Sequence, residues 1–304
     1  MVDLLVRPVR LDQPLGAGRL FEVKPIEVTT GGIVSNSGIA MLRLGLNVAA
    51  FTHVGDDEWA SVVESRYSEE GLDTEHVVRR SNAATSTTAV LVDPDGEHCF
   101  AHCGGAWKEM GREDYLAKLD FFAQVKTVLI GYYSLMPRLE KDLPEVLSAL
   151  QKVGCRTALD TAGDGGRLQP LDSALPYLDV YVPSYAEAAT QTGESDPQKM
   201  IECYRAYGAN GLLGVKLGAE GALLSPEPGT TLKIDPVQPP GPLLDTTGAG
   251  DSFFAGLLTG LHHGLGAEEA GRLAAAAGAC CVTGLGASAG LRTYEETARL
   301  AGIL

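Results

Sequence analysis

The chain has 304 residues, of which 45% are hydrophobic and 21% are charged, and its formal net charge is −15. The hydrophobic content excludes intrinsic disorder, and the excess of acidic side chains disfavours nucleic acids and anionic membranes as partners. An anionic ligand would need a local device on such a surface, such as a helix N-terminus or a metal ion. The length is that of one large α/β domain, so we expect residues 1–304 to form a single domain.

The sequence also indicates the cellular compartment of the protein. Long apolar stretches are interrupted every few residues, which predicts no membrane span. The N-terminal run contains Asp3 and lacks a small-residue cleavage site, unlike a signal peptide. The six cysteines are scattered, as expected for reduced thiols rather than a disulfide framework. Together these features predict a cytoplasmic protein.

Strand-like and helix-like segments alternate along most of the chain, which predicts an α/β fold with a mainly parallel central sheet. The predicted strands are 48–54, 127–130, 156–159, 180–182 and 212–215. The predicted helices are 35–44, 58–70, 113–123, 139–152, 197–207, 248–263, 267–283 and 294–301.

Two segments break this alternation. Residues 4–30 include the β-rich stretch 21–29, and residues 85–103 read as a β-hairpin with its turn at 93–96. Strands outside the alternation predict a small β lid, made from about 4–30 and 85–103, added to the main domain. A lid with one face on the substrate leaves its other face to be covered, so we expect a homodimer.

Two motif matches do not carry the chemistry, and two common nucleotide-binding motifs are absent. Residues 286–290 match the G-x-S-x-G of serine hydrolases, but a helical pattern precedes them and no histidine follows. On a strand, His98 and His102 face one side while Cys99 and Cys103 face the other, so the four would not converge on a metal. Neither a G-x-x-x-x-G-K-[ST] loop nor an early G-x-G-x-x-G is present, so any nucleotide is held in another way.

The strongest chemical signal is DTTGAGD at residues 245–251, which leads into a predicted helix. Its small residues permit a tight turn, and the first N–H groups of the helix then form an anion site. Asp251 falls in the first helical turn, where a carboxylate can accept a proton from an attacking hydroxyl beside a transferring phosphoryl group. We expect a β-branched residue at Gly250 to crowd the phosphate path and strain this turn.

This run resembles the C-terminal signature of the PfkB (ribokinase-like) carbohydrate kinases at every position. Residues 31–36 (GGIVSN) and 54–57 (VGDD) are similar to the N-terminal signature of that family, and 216–221 (KLGAEG) are similar to its nucleotide-side turn. The order and spacing agree over essentially residues 3–304. The resemblance implies a ribokinase-like three-layer αβα fold with a mainly parallel sheet and a small β lid.

The resemblance also implies roles for individual residues. Asp251 is then the general base for the sugar hydroxyl, beside an anion hole formed by Gly248, Ala249 and Gly250. Sugar binding is implied for Asp3, Gly31, Gly32 and Asn36, to which we add His102 from its place on the predicted hairpin. Binding of ATP and Mg²⁺ is implied for Lys216, Gly218, Gly221 and Glu187. A K⁺ site is implied at Asp245 and Thr247.

Three positions depart from the family pattern. Ser184 replaces the Asn of N-x-x-E before Glu187, which predicts a rearranged or water-filled shell around Mg²⁺. Ala275 falls where some relatives carry an Asn near the adenine, which leaves the nucleotide base preference open. Only Met1 and Val2 precede Asp3, so the first central strand is expected to be short or missing.

We therefore predict an ATP- and Mg²⁺-dependent kinase that phosphorylates a hydroxymethyl group of a small sugar. Fructose-, ribose- and 2-keto-3-deoxygluconate-like substrates remain open, as do nucleosides. No arginine lies in the strand 97–107, which weakens an acid sugar, and the pocket segments carry few basic residues, which weakens a phosphorylated one. The alternative from another class is a sugar- or nucleotide-binding regulatory protein with weak catalysis, which the intact 245–251 run opposes.

Overall fold

The computed structural model describes residues 1–13, 16, 18, 20–95, 97–163 and 165–304. They divide into two compact units, the first of residues 1–38 and 48–109 and the second of residues 39–47 and 110–304. Parts of the predicted segment 4–30 and one residue of the predicted turn 93–96 lie outside the described residues. A single domain with an added lid therefore remains a prediction.

The strands in chain order are β1 (Val2–Val6), β2 (Glu27–Thr30), β3 (Ala49–Gly55), β4 (Asp73–Arg80), β5 (Thr87–Val92), β6 (His98–Cys103), β7 (Thr127–Ile130), β8 (Arg156–Leu159), β9 (Val180–Tyr181), β10 (Leu212–Lys216), β11 (Ala222–Ser225) and β12 (Leu232–Ile234). The helices are α1 (Ile33–Arg43), α2 (Glu58–Glu70), α3 (Arg112–Leu116), α4 (Leu119–Phe122), α5 (Leu143–Lys152), α6 (Leu168–Ala174), α7 (Tyr185–Thr192), α8 (Pro197–Ala206), α9 (Ala249–His262), α10 (Ala267–Cys281) and α11 (Tyr294–Leu300). None of the helices in the described part of the chain has the length and apolarity to cross a membrane.

The first unit contains a four-stranded sheet in the order β2-β1-β5-β6. Strand β1 pairs antiparallel with β2 and parallel with β5, and β5 pairs antiparallel with β6. Strands from both segments that were predicted to form a lid therefore lie in one sheet. Within the stretch 21–29, only the part from Glu27 onward is a strand.

Strand β1 covers five residues, and only its first residue, Val2, precedes Asp3. It lies in the four-stranded sheet, and the six-stranded sheet of the described residues has no strand from the N-terminal segment, so the expectation of a short or missing first central strand stands. Another strand of the first unit does differ from the sequence prediction. The segment predicted as strand 48–54 does not join a large central sheet, because within the described residues β3 pairs with β4 alone, in a separate two-stranded parallel sheet. Strand β4 was not predicted, since its alternation is masked by charged residues.

The second unit contains a six-stranded sheet in the order β12-β11-β10-β9-β8-β7. Strands β7 to β10 are parallel, and the unpredicted strands β11 and β12 extend the sheet antiparallel. One face packs on α9 and α10 through a buried cluster that includes Ala158, Leu212 and Phe254. On β9, Tyr181 contacts Tyr204 of α8 edge-on and donates to Gln191 of α7.

Successive side chains of a strand face opposite sides of the sheet. Helices α9 and α10 cover one face, and helices α7 and α8 pack on the other, as is usual for a parallel sheet. The predicted three-layer αβα arrangement is confirmed. Most predicted helices agree with the structure to within a few residues at their ends. The helix predicted over 113–123 is instead two short helices, α3 and α4, because the backbone leaves the helical region at Lys118 (φ −123°, ψ 21°).

Candidate active site

The loop before α9 is held in one shape by two contacts. Gly248 is the N-cap of α9 and has a left-handed backbone (φ 76°), and a Cβ at this position would collide with Ala287. The carboxylate of Asp245 accepts from the N–H of Thr247 (2.8 Å) and from the N–H of Gly286 (2.9 Å). The segment 286–290, which lies in turns after α10, therefore supports this loop and lacks the strand-to-helix context of a nucleophile elbow.

Gly248, and not Gly250, is the glycine of this loop with a left-handed backbone. Gly250 has no left-handed backbone, and the nearest atom to a Cβ placed there is Nζ of Lys216, at an ordinary 3.6 Å. A bare Cβ at Gly250 therefore meets no obstacle, and the effect of a β-branched residue there stays a prediction. A helix start leaves the N–H groups of Gly250 and Asp251 without intrahelical acceptors. Lys216 thus lies beside an N-terminus that can bind an anion.

Four side chains surround this helix start. Asp251, half-buried in the first turn of α9, accepts from the hydroxyl of Tyr132 (3.3 Å to Oδ2). Lys216, the last residue of β10, forms a buried ion pair with Asp160 (3.4 Å). Asp160 follows β8, and Tyr132 lies two residues beyond β7. The carboxyl ends of parallel strands thus bring the Asp160 carboxylate, the Lys216 cation and the Tyr132 phenol to the same edge of the sheet, beside the start of α9.

The charges in this group are unbalanced. Burial raises the pKa of Asp160 to about 7, Asp251 and Glu187 act in the same direction, and Lys216 opposes them. Burial would lower the pKa of Lys216, but the carboxylates of Asp160, Glu187 and Asp251 outweigh it and raise that pKa. The lysine therefore stays charged, while the carboxylates carry more negative charge than one lysine offsets.

We expect Asp160→Asn to flatten the pH dependence of stability. The folded pKa of Asp160 lies above its ordinary value of 3.8, so its proton stabilises the fold at low pH, and this contribution is lost as pH rises from there towards 7. An amide does not titrate, so the free energy of unfolding should fall less over that window, by on the order of a few kcal/mol. Urea unfolding of both proteins across this pH range measures the difference, and parallel curves would contradict the assignment.

Glu187 is already engaged within the protein. Its carboxylate accepts from the N–H of Ser184 (2.6 Å), and the Ser184 hydroxyl accepts from the N–H of Glu187 (3.3 Å). This reciprocal pair is the capping box of α7, and Glu187 is buried. Serine at position 184 thus makes Glu187 a capping residue as well as a carboxylate facing Asp160.

The predicted nucleotide-side residues fall into two groups. Gly218 and Gly221 form the turn between β10 and β11, with positive φ values of 60° and 89°, and a Cβ on Gly221 would collide with the carbonyl of Ile234. Both glycines are therefore required by the turn itself. Lys216 points away from the turn towards Asp160. Ala275 belongs to the buried cluster beneath α9 and α10.

The predicted sugar-binding residues all lie in the first unit. A Cβ on Gly31 would collide with the carboxylate of Asp3, so these two residues are in direct contact. Oδ1 of Asp3 is buried and has no hydrogen-bond partner among the described residues. Burial raises the pKa of Asp3, although Thr88 and His102 act in the opposite direction. An unpaired buried acceptor is expected to bind a donor from a ligand.

His102 joins this group through Thr88. The Thr88 hydroxyl lies 3.0 Å from Nδ1 of His102, across the β5–β6 pair. Gly32 has a left-handed backbone (φ 79°), and its carbonyl accepts from the N–H of Asn36, a buried residue of α1. The structure thus brings Asp3, Gly31 and His102 together and adds Thr88 to them.

Sequence reasoning missed three residues of these groups, Asp160, Tyr132 and Thr88. Asp160 had a signal, because a polar residue directly after a buried parallel strand belongs to the sheet edge where ligands bind. Thr88 lay within an alternating strand and had no such signal. The left-handed backbone of Tyr132 cannot be read from its residue type, which disfavours that conformation.

Most of the chain matches the model of one protein family. The model of the pfkB family of carbohydrate kinases matches residues 1–293. The chain belongs to this family. It is a sugar kinase, a phosphotransferase with an alcohol group as acceptor, and the resemblance read from its motifs is confirmed.

Two curated relatives show the range within the family. A ribokinase of Haemophilus influenzae is 28% identical over 280 residues, which cover 89% of this chain and 87% of the relative. A 2-dehydro-3-deoxygluconokinase of Bacillus subtilis is 24% identical over 303 residues, which cover 92% and 89%. Both sugar classes were among the predicted substrates.

Solved structures confirm the ribokinase-like fold. Arabidopsis thaliana ribokinase complexed with ribose and ATP matches with a TM-score of 0.84 and 23% identity, over 99% of this chain and 95% of that one. A nucleoside kinase of Burkholderia thailandensis in complex with inosine matches with a TM-score of 0.76 and 22% identity, over 100% and 96%. At this identity the likeness concerns the fold and leaves the substrate open.

Proposed function

We propose that this sugar kinase transfers the γ-phosphoryl group of ATP to a primary hydroxyl of a small sugar, with Asp251 as general base. The observation that carries the proposal is the placement of Asp251 in the first turn of α9, with Lys216 beside Gly250. The helix N–H groups and the lysine stabilise the negative charge of the phosphoryl group, while the carboxylate accepts the hydroxyl proton. Phosphoryl transfer depends mainly on such positioning and charge stabilisation.

Recognition of the sugar is assigned to the group in the first unit. Asp3 offers a buried acceptor atom, Oδ1, which has no partner in the described part of the chain, and His102 and Thr88 lie near it. Gly31 leaves room for the Asp3 carboxylate, because any side chain there would collide with it. Hydroxyl groups of a sugar are the donors that such an acceptor binds.

Mg²⁺ fits the group in the second unit. Asp160 and Glu187 supply the hard oxygen donors that Mg²⁺ prefers, although the described residues do not present a ready cluster of three metal-binding side chains. Mg²⁺ usually takes one or two carboxylates together with phosphate oxygens and waters, so two carboxylates suffice. The excess negative charge around Lys216 supports this assignment. When bound, the ion would neutralise phosphate charge.

A K⁺ site at Asp245 and Thr247 stays part of the proposal. The carboxylate of Asp245 binds two backbone N–H groups that shape the loop before α9. A monovalent cation near this carboxylate would act on the loop that carries the anion-binding N–H groups. Replacing K⁺ by tetramethylammonium in the assay tests it, and unchanged rates would remove K⁺ from the proposal.

The substrate is tested with a panel of acceptors under ATP and Mg²⁺. Ribose-, fructose- and 2-keto-3-deoxygluconate-type sugars form the first group. Nucleosides form the second, because the nucleoside kinase in complex with inosine shares the fold over the whole chain. ADP formation that depends on one sugar supports the proposal. ADP formation with nucleosides alone would establish the second candidate, and no acceptor-dependent turnover would favour a binding protein.

Asp3→Asn should weaken binding of the sugar and leave binding of ATP unchanged. The change removes a charged acceptor, and hydrogen bonds to charged groups are strong enough that KM for the sugar should rise about tenfold or more. Steady-state kinetics with each substrate varied in turn measure the effect. Asp12→Asn, an exposed acid of the same unit, is the control. Equal effects on both KM values would contradict the assignment of Asp3 to the sugar.

The predicted homodimer and cytoplasmic location also remain proposals. Exposed apolar side chains on the edge strands of the four-stranded sheet, Val28 and Phe100, support an association surface there. Light scattering at micromolar concentration tests it with Phe100→Ser as the comparison. A wild-type monomer with full activity would remove the dimer.

A further inference from the structure

Tyr132 has an unusual backbone. Among the described residues it is the one non-glycine residue with a positive φ (φ 57°, ψ 34°). This left-handed conformation is unfavourable for an L-residue and more so for a bulky one, whereas glycine adopts it freely. A tyrosine kept in that conformation indicates that its side chain is needed at that place.

The chain around Tyr132 is anchored on its C-terminal side. The Ser134 hydroxyl donates to the carbonyl of Ala162 (3.1 Å), in the loop that follows Asp160, and the side chain of Tyr133 is fully buried. These contacts hold in place the chain directly after Tyr132. The strained backbone is thus imposed by its surroundings rather than by a flexible loop.

The hydroxyl of Tyr132 donates to Oδ2 of Asp251 (3.3 Å). The titratable groups that act on this region from the other elements are Lys216 on β10, Asp160 after β8, Glu187 on α7 and Cys281 on α10. Among these, Lys216 attracts the Asp251 carboxylate and Asp160 repels it. A neutral donor from the β7 side adds a hydrogen bond to the charged form without adding charge.

We propose that Tyr132 is a positioning residue for Asp251. Its hydroxyl holds one carboxylate oxygen, which fixes the rotamer of Asp251 and favours its ionised form before the acceptor hydroxyl binds. The phenol keeps its own proton, and the proton from the acceptor goes to the carboxylate. The inference rests on the proposed role of Asp251 as the base.

Tyr132→Phe removes the hydroxyl and keeps the ring. Loss of a hydrogen bond to a charged group should lower kcat by about tenfold or more, while both KM values change little. The carboxylate would then be protonated at higher pH, so the acidic limb of the kcat/KM profile should move to higher pH. Tyr133→Phe is the matched control, because its hydroxyl is buried and has no partner among the described residues.

Tyr132→Gly distinguishes the effect of the strained backbone from the effect of the lost hydroxyl. Glycine relieves the left-handed strain, so this variant should be slow and yet no less stable towards urea than Tyr132→Phe. A Tyr132→Phe enzyme with wild-type kcat and an unmoved pH profile would overturn the inference. So would a rate loss equalled by Tyr133→Phe.

Asp251→Asn distinguishes the two levels of the proposal. If that variant is inactive while Tyr132→Phe behaves as wild type, the positioning role alone is wrong. If Asp251→Asn stays active, the base assignment fails and the role of Tyr132 fails with it.

Discussion

Asp251→Asn is expected to abolish most turnover and to leave binding of ATP and sugar within about tenfold, since general-base catalysis is typically worth about 10²–10⁴ in rate. The amide keeps the shape of the carboxylate and an oxygen that the Tyr132 hydroxyl can reach, so α9 and its N–H groups should remain in place. The loss should therefore appear in kcat rather than in KM.

Single-turnover measurements with ATP and the best acceptor of the panel test this expectation. Binding titrations on the same variant show whether the site is intact. Asp196→Asn, an N-cap acid of α8 in the same unit, serves as a control for loss of a carboxylate. An Asp251→Asn enzyme with more than a tenth of the wild-type rate would remove the assigned role.

Gly248→Ala and Gly250→Ala should behave differently although both lie in the same loop. Alanine at 248 must adopt a left-handed backbone and collide with Ala287, which should cost about 2 kcal/mol or more of stability. The loop that presents the N–H groups would shift, so the rate should fall as well.

Alanine at 250 meets no such obstacle. The new Cβ lies 3.6 Å from Nζ of Lys216, and alanine is the better helix former, so stability should stay within about 0.5 kcal/mol of wild type. Its methyl group would project near the lysine, and only the rate should fall. Urea unfolding and kinetics on both variants separate the two effects, and equal stability of the two would contradict the account of Gly248.

The parallel strands of the second unit were predictable because each is a short apolar run between helical patterns. Strand β8 agrees with its prediction at both ends, since Arg156 to Leu159 lie between a helix C-terminus and the polar Asp160. The antiparallel strands β11 and β12 were missed, because short antiparallel strands beside a glycine turn lack a strong apolar period. The position of β3 outside the large sheet depends on its pairing with β4, which no local sequence pattern predicts.

The site was predictable where a motif specifies backbone geometry. The run 245–251 correctly placed Asp251 at a helix start, because its glycines and capping positions determine a loop. The capping box of Ser184 and Glu187 was also readable, as S-x-x-E before a helix. The contact of Tyr132 with Asp251 joins residues 119 positions apart and depends on a disfavoured backbone conformation. No sequence pattern could therefore predict it.

The most direct test of the central claim is to identify the product by ³¹P and ¹H NMR. Wild-type protein is incubated with ATP, Mg²⁺ and the sugar that gives the highest turnover. The account predicts ADP and an equal amount of a phosphate monoester on a primary hydroxyl of the sugar, with at most about a hundredth as much formed by Asp251→Asn over the same time. Conversion of ATP to ADP and inorganic phosphate without a sugar phosphate, or equal product from the variant, would contradict it.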